Sequence, residues 1–222
     1  MSWGEVFKIN KNLKRSIDEQ LRDMKYNPIR VITATGTFTP ERTGLYKVIC
    51  VGAGGSGKRY AYTDGGTYIQ ANGGGAGGVA IKTLRLDSSI TYDVTVSTTS
   101  SFSNILTATK GGAAGNSSAG TGGTASGGDY NFSGGSGVRT ESSTPNISKS
   151  QGLGGSVGVV ITDLSRDYIV AVSDGYTICC GTSVLKYGAG GSVVLKGTAS
   201  SDSIEISPLP GAVIIIPIEM EE

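Results

Sequence analysis

Leu45-Tyr-Lys-Val-Ile-Cys-Val51 runs directly into Gly52-Ala-Gly-Gly-Ser-Gly57, and a second glycine cluster follows at Gly73-Gly-Gly-Ala-Gly-Gly78. The first stretch is apolar on both faces apart from Lys47, which predicts a strand in the middle of a sheet and not at its edge. A strand that feeds glycine clusters predicts a rigid β body whose long loops, nearly free of side chains, lie at one end.

Short segments of period-two hydrophobicity continue along the chain, with turn residues between them. Examples are Thr37–Pro40, Val79–Leu84, Ile90–Ser97 and Ser103–Thr109, and six more segments follow between Val157 and Ile206. Segments of about five residues at this spacing are typical of a sandwich or barrel. The sequence therefore predicts an all-β fold with a sandwich or jelly-roll-like body.

The C-terminal run Ala212–Ile218 is continuously apolar and rich in β-branched residues. That composition predicts a strand buried on both faces, either in the core of the domain or against a second copy of the chain. The run is also far shorter than the roughly 20 residues that a membrane-spanning helix needs. Membrane insertion is therefore not expected.

A second glycine field covers residues 111 to 158, where glycine doublets alternate with Ser, Thr, Ala and Asn. Flexible linkers have a similar composition, but this field lies between two clear β patterns, which favours ordered loops. Glycine at close intervals also allows backbones to pack together in extended, polyproline-like layers that larger side chains would hold apart.

Residues 1–30 differ from the rest of the chain, because they are rich in charge and contain a single glycine, Gly4. Apolar residues recur there at helical spacing, at Ile9, Leu13, Ile17, Leu21 and Met24. The spacing predicts a short amphipathic helix that ends before Pro28. The apolar stripe either packs on its own domain or associates with other copies or a larger assembly, and the abrupt change in composition favours the second. We therefore divide the chain into an attachment or oligomerisation segment, 1–30, and a glycine-rich β domain, 31–222.

The composition excludes several classes of function. The chain has 222 residues with 19 basic and 18 acidic side chains, so it lacks the basic surface expected of a nucleic-acid-binding protein. It has 36 glycines but only 6 prolines, which argues against collagen. The first twelve residues contain no apolar core of a signal peptide.

Gly52–Lys58 matches the phosphate-binding pattern G-x-x-x-x-G-K, and its glycines also match G-x-G-x-x-G. Both motifs require a helix after the loop, and the first also requires Ser or Thr after the lysine. Arg59 stands at that position, and the following residues, rich in tyrosine and glycine, do not favour a helix. We interpret the match as a chance product of glycine-rich sequence and expect no cofactor.

Catalytic and metal-binding patterns are missing from the sequence. It contains no histidine, its acidic residues are scattered, and its three cysteines are Cys50, Cys179 and Cys180. The commonest general base and the usual zinc-ligand spacings are therefore lacking, and Cys50 is expected to be a buried apolar residue. A hydrolase with two distant carboxylates remains an alternative that spacing alone does not remove.

Five aromatic residues lie inside or beside the glycine clusters: Tyr60, Tyr62, Tyr68, Tyr130 and Phe132. Aromatic side chains on loops above a rigid scaffold favour recognition, and a tyrosine ring stacks well on a sugar. Each of them is equally consistent with a ring that folds back to anchor its loop. They form the candidate receptor-binding set, while Leu13, Ile17, Leu21 and Met24 form the candidate oligomerisation set.

The stretch from Thr37 to Gly55, the cluster Gly73–Gly78 and the strand Ile90–Val96 resemble the glycine-rich domain of bacteriophage and prophage tail-fibre or receptor-binding proteins. The resemblance implies a virion tail component made in the cytoplasm of the bacterial host. It also implies a homotrimer whose N-terminal segment attaches to the tail or baseplate, and whose glycine-rich end contacts a surface glycan or protein receptor. A structural coat or spore-surface protein is the alternative, and a hydrolase of cell-wall polymer is a weaker one.

Overall fold

The computed structural model describes residues 29–63, 67–142 and 203–221, and between the last two ranges also 151–152, 159–163, 166–170, 178–180, 183–185, 187–188, 190 and 192–195. The described part is all-β, as the sequence predicts. The predicted N-terminal helix, with Leu13, Ile17, Leu21 and Met24, lies outside these residues.

Two five-stranded antiparallel sheets form a sandwich. The first, which we call the main sheet, has the order β1-β20-β3-β6-β11, and the second has the order β10-β9-β8-β7-β2. Their strands are β1 (Arg30–Ile32), β2 (Gly36–Phe38), β3 (Gly44–Val51), β6 (Val79–Leu86), β7 (Tyr92–Val96), β8 (Thr99–Phe102), β9 (Leu106–Thr109), β10 (Ala125–Ser126), β11 (Tyr130–Phe132) and β20 (Ala212–Met220).

Three smaller antiparallel sheets complete the described part, with the orders β12-β5-β4, β13-β18-β19 and β14-β15-β16-β17. Their strands are β4 (Lys58–Thr63), β5 (Thr67–Asn72), β12 (Arg139–Ser142), β13 (Gln151–Gly152), β14 (Val159–Asp163), β15 (Arg166–Val170), β16 (Ile178–Cys180), β17 (Ser183–Leu185), β18 (Ser192–Leu195) and β19 (Ser203–Ile206).

Strands β3 and β20 lie in the middle of the main sheet, and both are buried on both faces over Val48–Val51 and 212–216. Alternate residues of β20 enter two separate cores: Val213 and Ile215 join the core between the two sheets, and Ile214 and Ile216 join a core on the opposite face. The predictions for the strand of 45–51 and for the apolar C-terminal run are therefore confirmed. At Pro217, which has no N–H to donate, the pairing register with β3 shifts, as expected at a bulge.

Other predicted strands are confirmed with shifted ends. Two predictions, for the segments 103–109 and 58–70, differ from the structure. The segment 103–109 contains a turn before its strand, because Ser103 and Asn104 have positive φ angles and link β8 to β9. Residues 58 to 70, expected to form a loop, instead pair as the hairpin β4–β5. Alternating polar and aromatic residues give this hairpin its period of two, which the surrounding glycines obscured.

The chain leaves the sandwich and returns to it in glycine-rich segments. We define five glycine segments: the first (52–57) leads from β3 to β4, the second (73–78) from β5 to β6, the third (110–115) from β9 to a turn, the fourth (119–124) from that turn to β10, and the fifth (133–138) from β11 to β12. All five run between the sandwich and a far end that carries the sheet β12-β5-β4. We call them together the glycine layer and that sheet the tip sheet.

Hydrogen bonds in the glycine layer repeat every three residues. In the second segment Gly73 and Ala76 both donate to the fifth segment, to the carbonyls of residues 138 and 135, whereas Gly75 and Gly78 both donate toward the third, to residues 112 and 109. The carbonyls of Gly73 and Ala76 accept from the fourth segment, and those of Gly75 and Gly78 accept from the first. A repeat of three is the period of a polyproline-II-type chain, not of a β-strand.

Backbone atoms lie where side chains would otherwise be. A Cβ atom added to Gly74, Gly75, Gly77 or Gly78 would come closer than 3.0 Å to a backbone carbonyl of a neighbouring segment. Residues 71–81 are all buried, so the second segment forms the centre of the layer. The predicted ordering of the glycine clusters as a layer is thus found in the five glycine segments.

Hydroxyl residues lie at the outside of the layer. The fourth segment has threonine at positions 121 and 124 and the fifth has serine at 133 and 136, in each case three residues apart and exposed. Because three residues make one turn, every third position points the same way, and these outward positions have room for a Cβ. The short G-G-x repeats in the sequence result from this threefold geometry.

Candidate recognition surface

The tip sheet brings three of the five candidate aromatic residues together. In β4–β5 the register pairs Tyr60 with Gln70 and Tyr62 with Tyr68. Directly paired residues of antiparallel strands lie on the same face, and alternate residues of one strand also share a face. Tyr60, Tyr62, Tyr68 and Gln70 therefore lie on one face of the tip sheet, which we call the tyrosine face. Through β12, Glu141 is paired with Gln70 on the same face.

A fixed turn borders the tyrosine face at its base. Asn72, at the end of β5, is fully buried, and its Nδ2 donates hydrogen bonds to the carbonyl oxygens of Gly115 at 2.9 Å and Asn116 at 3.1 Å. Nη1 of Arg139 donates to the carbonyl oxygen of Ser117 at 2.8 Å. The turn between the third and fourth glycine segments is therefore tied by side chains to the sheet, which orients this edge of the tip.

Tyr130 and Phe132 do not belong to this surface. They lie on β11, at the edge of the main sheet, paired with Ile81 and Val79. Their exposed fractions are 65% and 36%. The fifth glycine segment separates β11 from the tip sheet, and six residues at about 3.1 Å each span roughly 19 Å. The five candidate residues, which the sequence places beside loops, thus lie on strands at two opposite ends of the glycine layer.

Three amides of the phosphate-loop-like stretch donate hydrogen bonds to other backbone. Gly52 N donates to the carbonyl of Gly78, Gly54 N to that of Leu209 and Gly55 N to that of Gly75, each at 2.8 to 2.9 Å. A phosphate-binding loop needs free amides that converge on one point. Lys58 begins strand β4 and not a helix, so the match to the nucleotide motif has no structural counterpart.

A cleft on the sandwich is lined by aromatic and charged residues. A cleft of about 250 Å³ opens on the sandwich beside Thr37, Phe38 and Tyr46, and Arg30 and Glu41 at its rim form an ion pair of 2.6 Å with each other. Within the described ranges, no three His, Cys, Asp or Glu side chains are grouped as metal ligands. No helix in this part of the chain is long and apolar enough to cross a membrane.

Cys50 is part of the core between the two sheets, as the sequence predicts. It is fully buried, and this burial raises the pKa of its thiol to about 12. We expect iodoacetamide at pH 8 to leave Cys50 unmodified in the native protein and to alkylate it in denaturant, as read from the mass of the peptide that contains it. Alkylation at equal rates in both states would contradict this burial.

The raised pKa also gives a direction for the effect of pH on stability. The unfolded thiol ionises near its usual pKa of 9.0, while the folded thiol keeps its proton until about pH 12. Between these values the folded state binds one more proton, so this group lowers the free energy of unfolding as pH rises, by about 1.4 kcal/mol per pH unit.

Comparison with known proteins identifies the class to which this fold belongs. Residues 32–211 match the model of the family described as the glycine-rich domain, a range that covers the glycine layer, the tip sheet and the sandwich apart from β20 and most of β1. The chain belongs to this glycine-rich domain family. No curated protein matches the sequence.

Proposed function

We propose that this chain is a non-enzymatic subunit of a phage or prophage tail fibre, an adhesin that binds a bacterial surface through the tyrosine face of its tip sheet. The observation that carries the proposal is the convergence of Tyr60, Tyr62 and Tyr68 on one face at the far end of the glycine layer. Tyrosine combines a broad apolar ring with a hydroxyl group that forms hydrogen bonds, which suits a surface glycan or a protein receptor.

The glycine layer supports this function by positioning the tip. Its glycines donate and accept hydrogen bonds within the layer, and the second segment is buried, so the layer itself offers few groups for contact. A layer held by backbone on several sides is rigid, and sites on rigid supports lose less conformational entropy on binding. The recognition surface is therefore the sheet that the glycines carry and not the glycine clusters themselves.

The direction of the chain agrees with attachment at the opposite end. Strand β1 pairs Arg30 with Ile215 and Ile32 with Val213, so it runs toward the glycine layer. The start of β1 at Arg30 therefore points away from the tip. In our proposal this N-terminal segment attaches a homotrimer to the tail or baseplate, and a mass in solution three times that of one chain is expected in sedimentation.

Binding to cells tests the proposed surface. We expect the combined substitutions Tyr60→Ser, Tyr62→Ser and Tyr68→Ser to weaken binding of the purified full chain to susceptible bacteria at least about 100-fold, because interface aromatics are frequent hot spots. The matched control replaces the other two candidates, Tyr130→Ser and Phe132→Ser. Binding is measured by titration of labelled protein on a panel of bacterial strains, with circular dichroism as the check of folding.

The pattern of results separates the alternatives. Loss of binding in the Tyr130 and Phe132 variant alone would move the receptor surface to the sandwich and overturn the proposal. Polymerisation of the protein without binding to any strain would favour a structural coat. Release of cell-wall fragments that a single Asp or Glu substitution abolishes would establish a hydrolase.

A further inference from the structure

The cleft on the sandwich lies at the end of the two sheets that is farther from the tip. Tyr46 is near the start of β3, and its directly paired neighbour Pro217 is near the end of β20, so both mark this end. The volume of the cleft is about 250 Å³. Pockets for drug-sized ligands usually measure roughly 300–1,000 Å³. The cleft therefore has room for one small ligand.

One wall of the cleft is apolar and aromatic, and it consists of Phe38, Tyr46 and Pro217. The rings of Phe38 and Tyr46 meet edge to face, with centroids 6.3 Å apart and planes inclined by 76°. The hydroxyl group of Tyr46 donates a hydrogen bond to the carbonyl oxygen of Arg42 at 2.7 Å, which holds this ring in place. A preformed wall of this kind packs well against the C–H face of a sugar ring.

The other side of the cleft is polar, and its described residues carry one positive and one negative charge. Arg30 and Glu41 form their ion pair at the mouth, where their side chains are 52% and 54% exposed, and Thr37 and Thr39 add two hydroxyl groups. A guanidinium group only donates hydrogen bonds and a carboxylate only accepts them, so a ligand meets both kinds of group side by side. An exposed ion pair contributes little to stability, so the hydroxyl groups of a ligand replace it at small cost.

We propose that this cleft binds one neutral sugar unit, whose adjacent hydroxyl groups contact Arg30 and Glu41 and whose ring lies against Phe38 and Tyr46. A lone anion would be repelled by Glu41, and a lone cation by Arg30. A wholly apolar ligand would separate the ion pair and the threonine hydroxyl groups from water without replacing their hydrogen bonds, which is costly. A sugar suits both sides of the cleft, because its ring has an apolar face and its edge both donates and accepts hydrogen bonds.

The proposal goes beyond the function of the tyrosine face. The cleft is on the sandwich, and the glycine layer separates it from the tip sheet, so the two sites are independent. Two sites that bind the same class of polymer would add avidity on a surface that displays many copies of it. A sugar would still bind in the cleft if the tyrosine face had another role, and the tail-fibre function would stand if the cleft bound no sugar.

An NMR titration of the full-length protein tests the proposal. The probes are methyl α-D-glucopyranoside, methyl β-D-galactopyranoside and N-acetylglucosamine, each added up to about 100 mM, which nearly saturates a site with a Kd of about 10 mM. We expect at least one of them to bind with a Kd of roughly 1–10 mM. The same sugar is expected to shift the ring resonances of Phe38 and Tyr46.

Substitutions at two ion pairs of the same length separate a contact in the cleft from a general effect of charge. Arg30→Gln is expected to weaken binding of that sugar at least about fivefold, because the ligand loses a hydrogen bond to a charged group. The control, Arg85→Gln, breaks the exposed 2.6 Å ion pair with Glu221, and neither of these residues lines the cleft. It is expected to leave the Kd within about twofold of the original value. Circular dichroism checks that both variants fold.

Several outcomes would overturn the proposal. They are the absence of binding by all three sugars, shifts confined to the rings of Tyr60, Tyr62 and Tyr68, and equal weakening by the two arginine substitutions. Glycine, acetate and cyclohexanol are titrated as a zwitterion, an anion and an apolar ring, and tighter binding of any of them than of the sugars would also overturn it. Binding of the tyrosine variant to cells tests the proposed function separately, since its substitutions leave the cleft unchanged.

Discussion

Replacing Gly75 with alanine is expected to lower the free energy of unfolding by more than about 4 kcal/mol. A Cβ at this position would overlap the carbonyl carbon and oxygen of Thr121 and reach the amide nitrogen of Gly122. All three are backbone atoms of the fourth glycine segment, so no side chain can rotate away. Urea unfolding followed by circular dichroism measures the change.

Gly36→Ala is the matched control for this prediction. Gly36 lies on β2, and a Cβ added there meets no atom within 4 Å. The same substitution is therefore expected to be neutral or to stabilise the protein by less than about 1 kcal/mol, through a lower entropy of the unfolded chain. Equal effects at the two positions would show that Gly75 is not closely surrounded by backbone, and the layer as described would be wrong.

The second large effect is expected at Phe102. This side chain is fully buried between the two sheets of the sandwich, and its ring stacks on Tyr92 with centroids 5.3 Å apart and planes inclined by 18°. Phe102→Ala removes the ring and leaves a cavity that the surrounding strands close only in part. The expected loss is about 3–5 kcal/mol in the free energy of unfolding.

Phe132→Ala makes the same chemical change at a less buried position. Phe132 lies on the edge strand β11 and is 36% exposed, so its removal is expected to cost less than about 1.5 kcal/mol. The two variants are compared in one series of urea titrations. A cost at Phe132 as large as that at Phe102 would mean that β11 is covered by a further part of the chain or by another copy.

The sequence predicts the sandwich well, because its strands carry the strongest local signals. Alternation in 45–51 and the continuous apolar run 212–218 both reflect burial on two faces of a central strand. The order of strands in the sheets is not predictable in the same way. It depends on contacts between distant residues, such as the pairing of β20 with β1 and β3, for which no local pattern exists.

The local sequence of the glycine clusters does not determine whether they are ordered. Their composition is shared by flexible linkers, so order or disorder depends on whether other segments lie close enough to accept the hydrogen bonds. The spacing of three between exposed residues, as in Thr121 and Thr124 or Ser133 and Ser136, is the one local sign of the layer. It repeats only once or twice per segment, which is too short to stand out in the sequence.

The candidate surface was predictable by residue type but not by position. Tyrosine among glycines pointed to Tyr60, Tyr62 and Tyr68, and the register of β4 and β5 places them on one face. The same reasoning grouped Tyr130 and Phe132 with them, although the fifth glycine segment carries the chain about 19 Å from one site to the other. Asn72 and the turn 115–118, which border the tyrosine face, gave no signal because an isolated asparagine is common in turns.

The direction of the glycine segments has a mechanical consequence. A pull between the tip and the opposite end of the sandwich acts along all five segments, at right angles to the hydrogen bonds that join them. Those bonds are then loaded in shear and must break together, whereas a pull from the side would open them one after another. Tension along the long axis is therefore resisted by the whole layer at once.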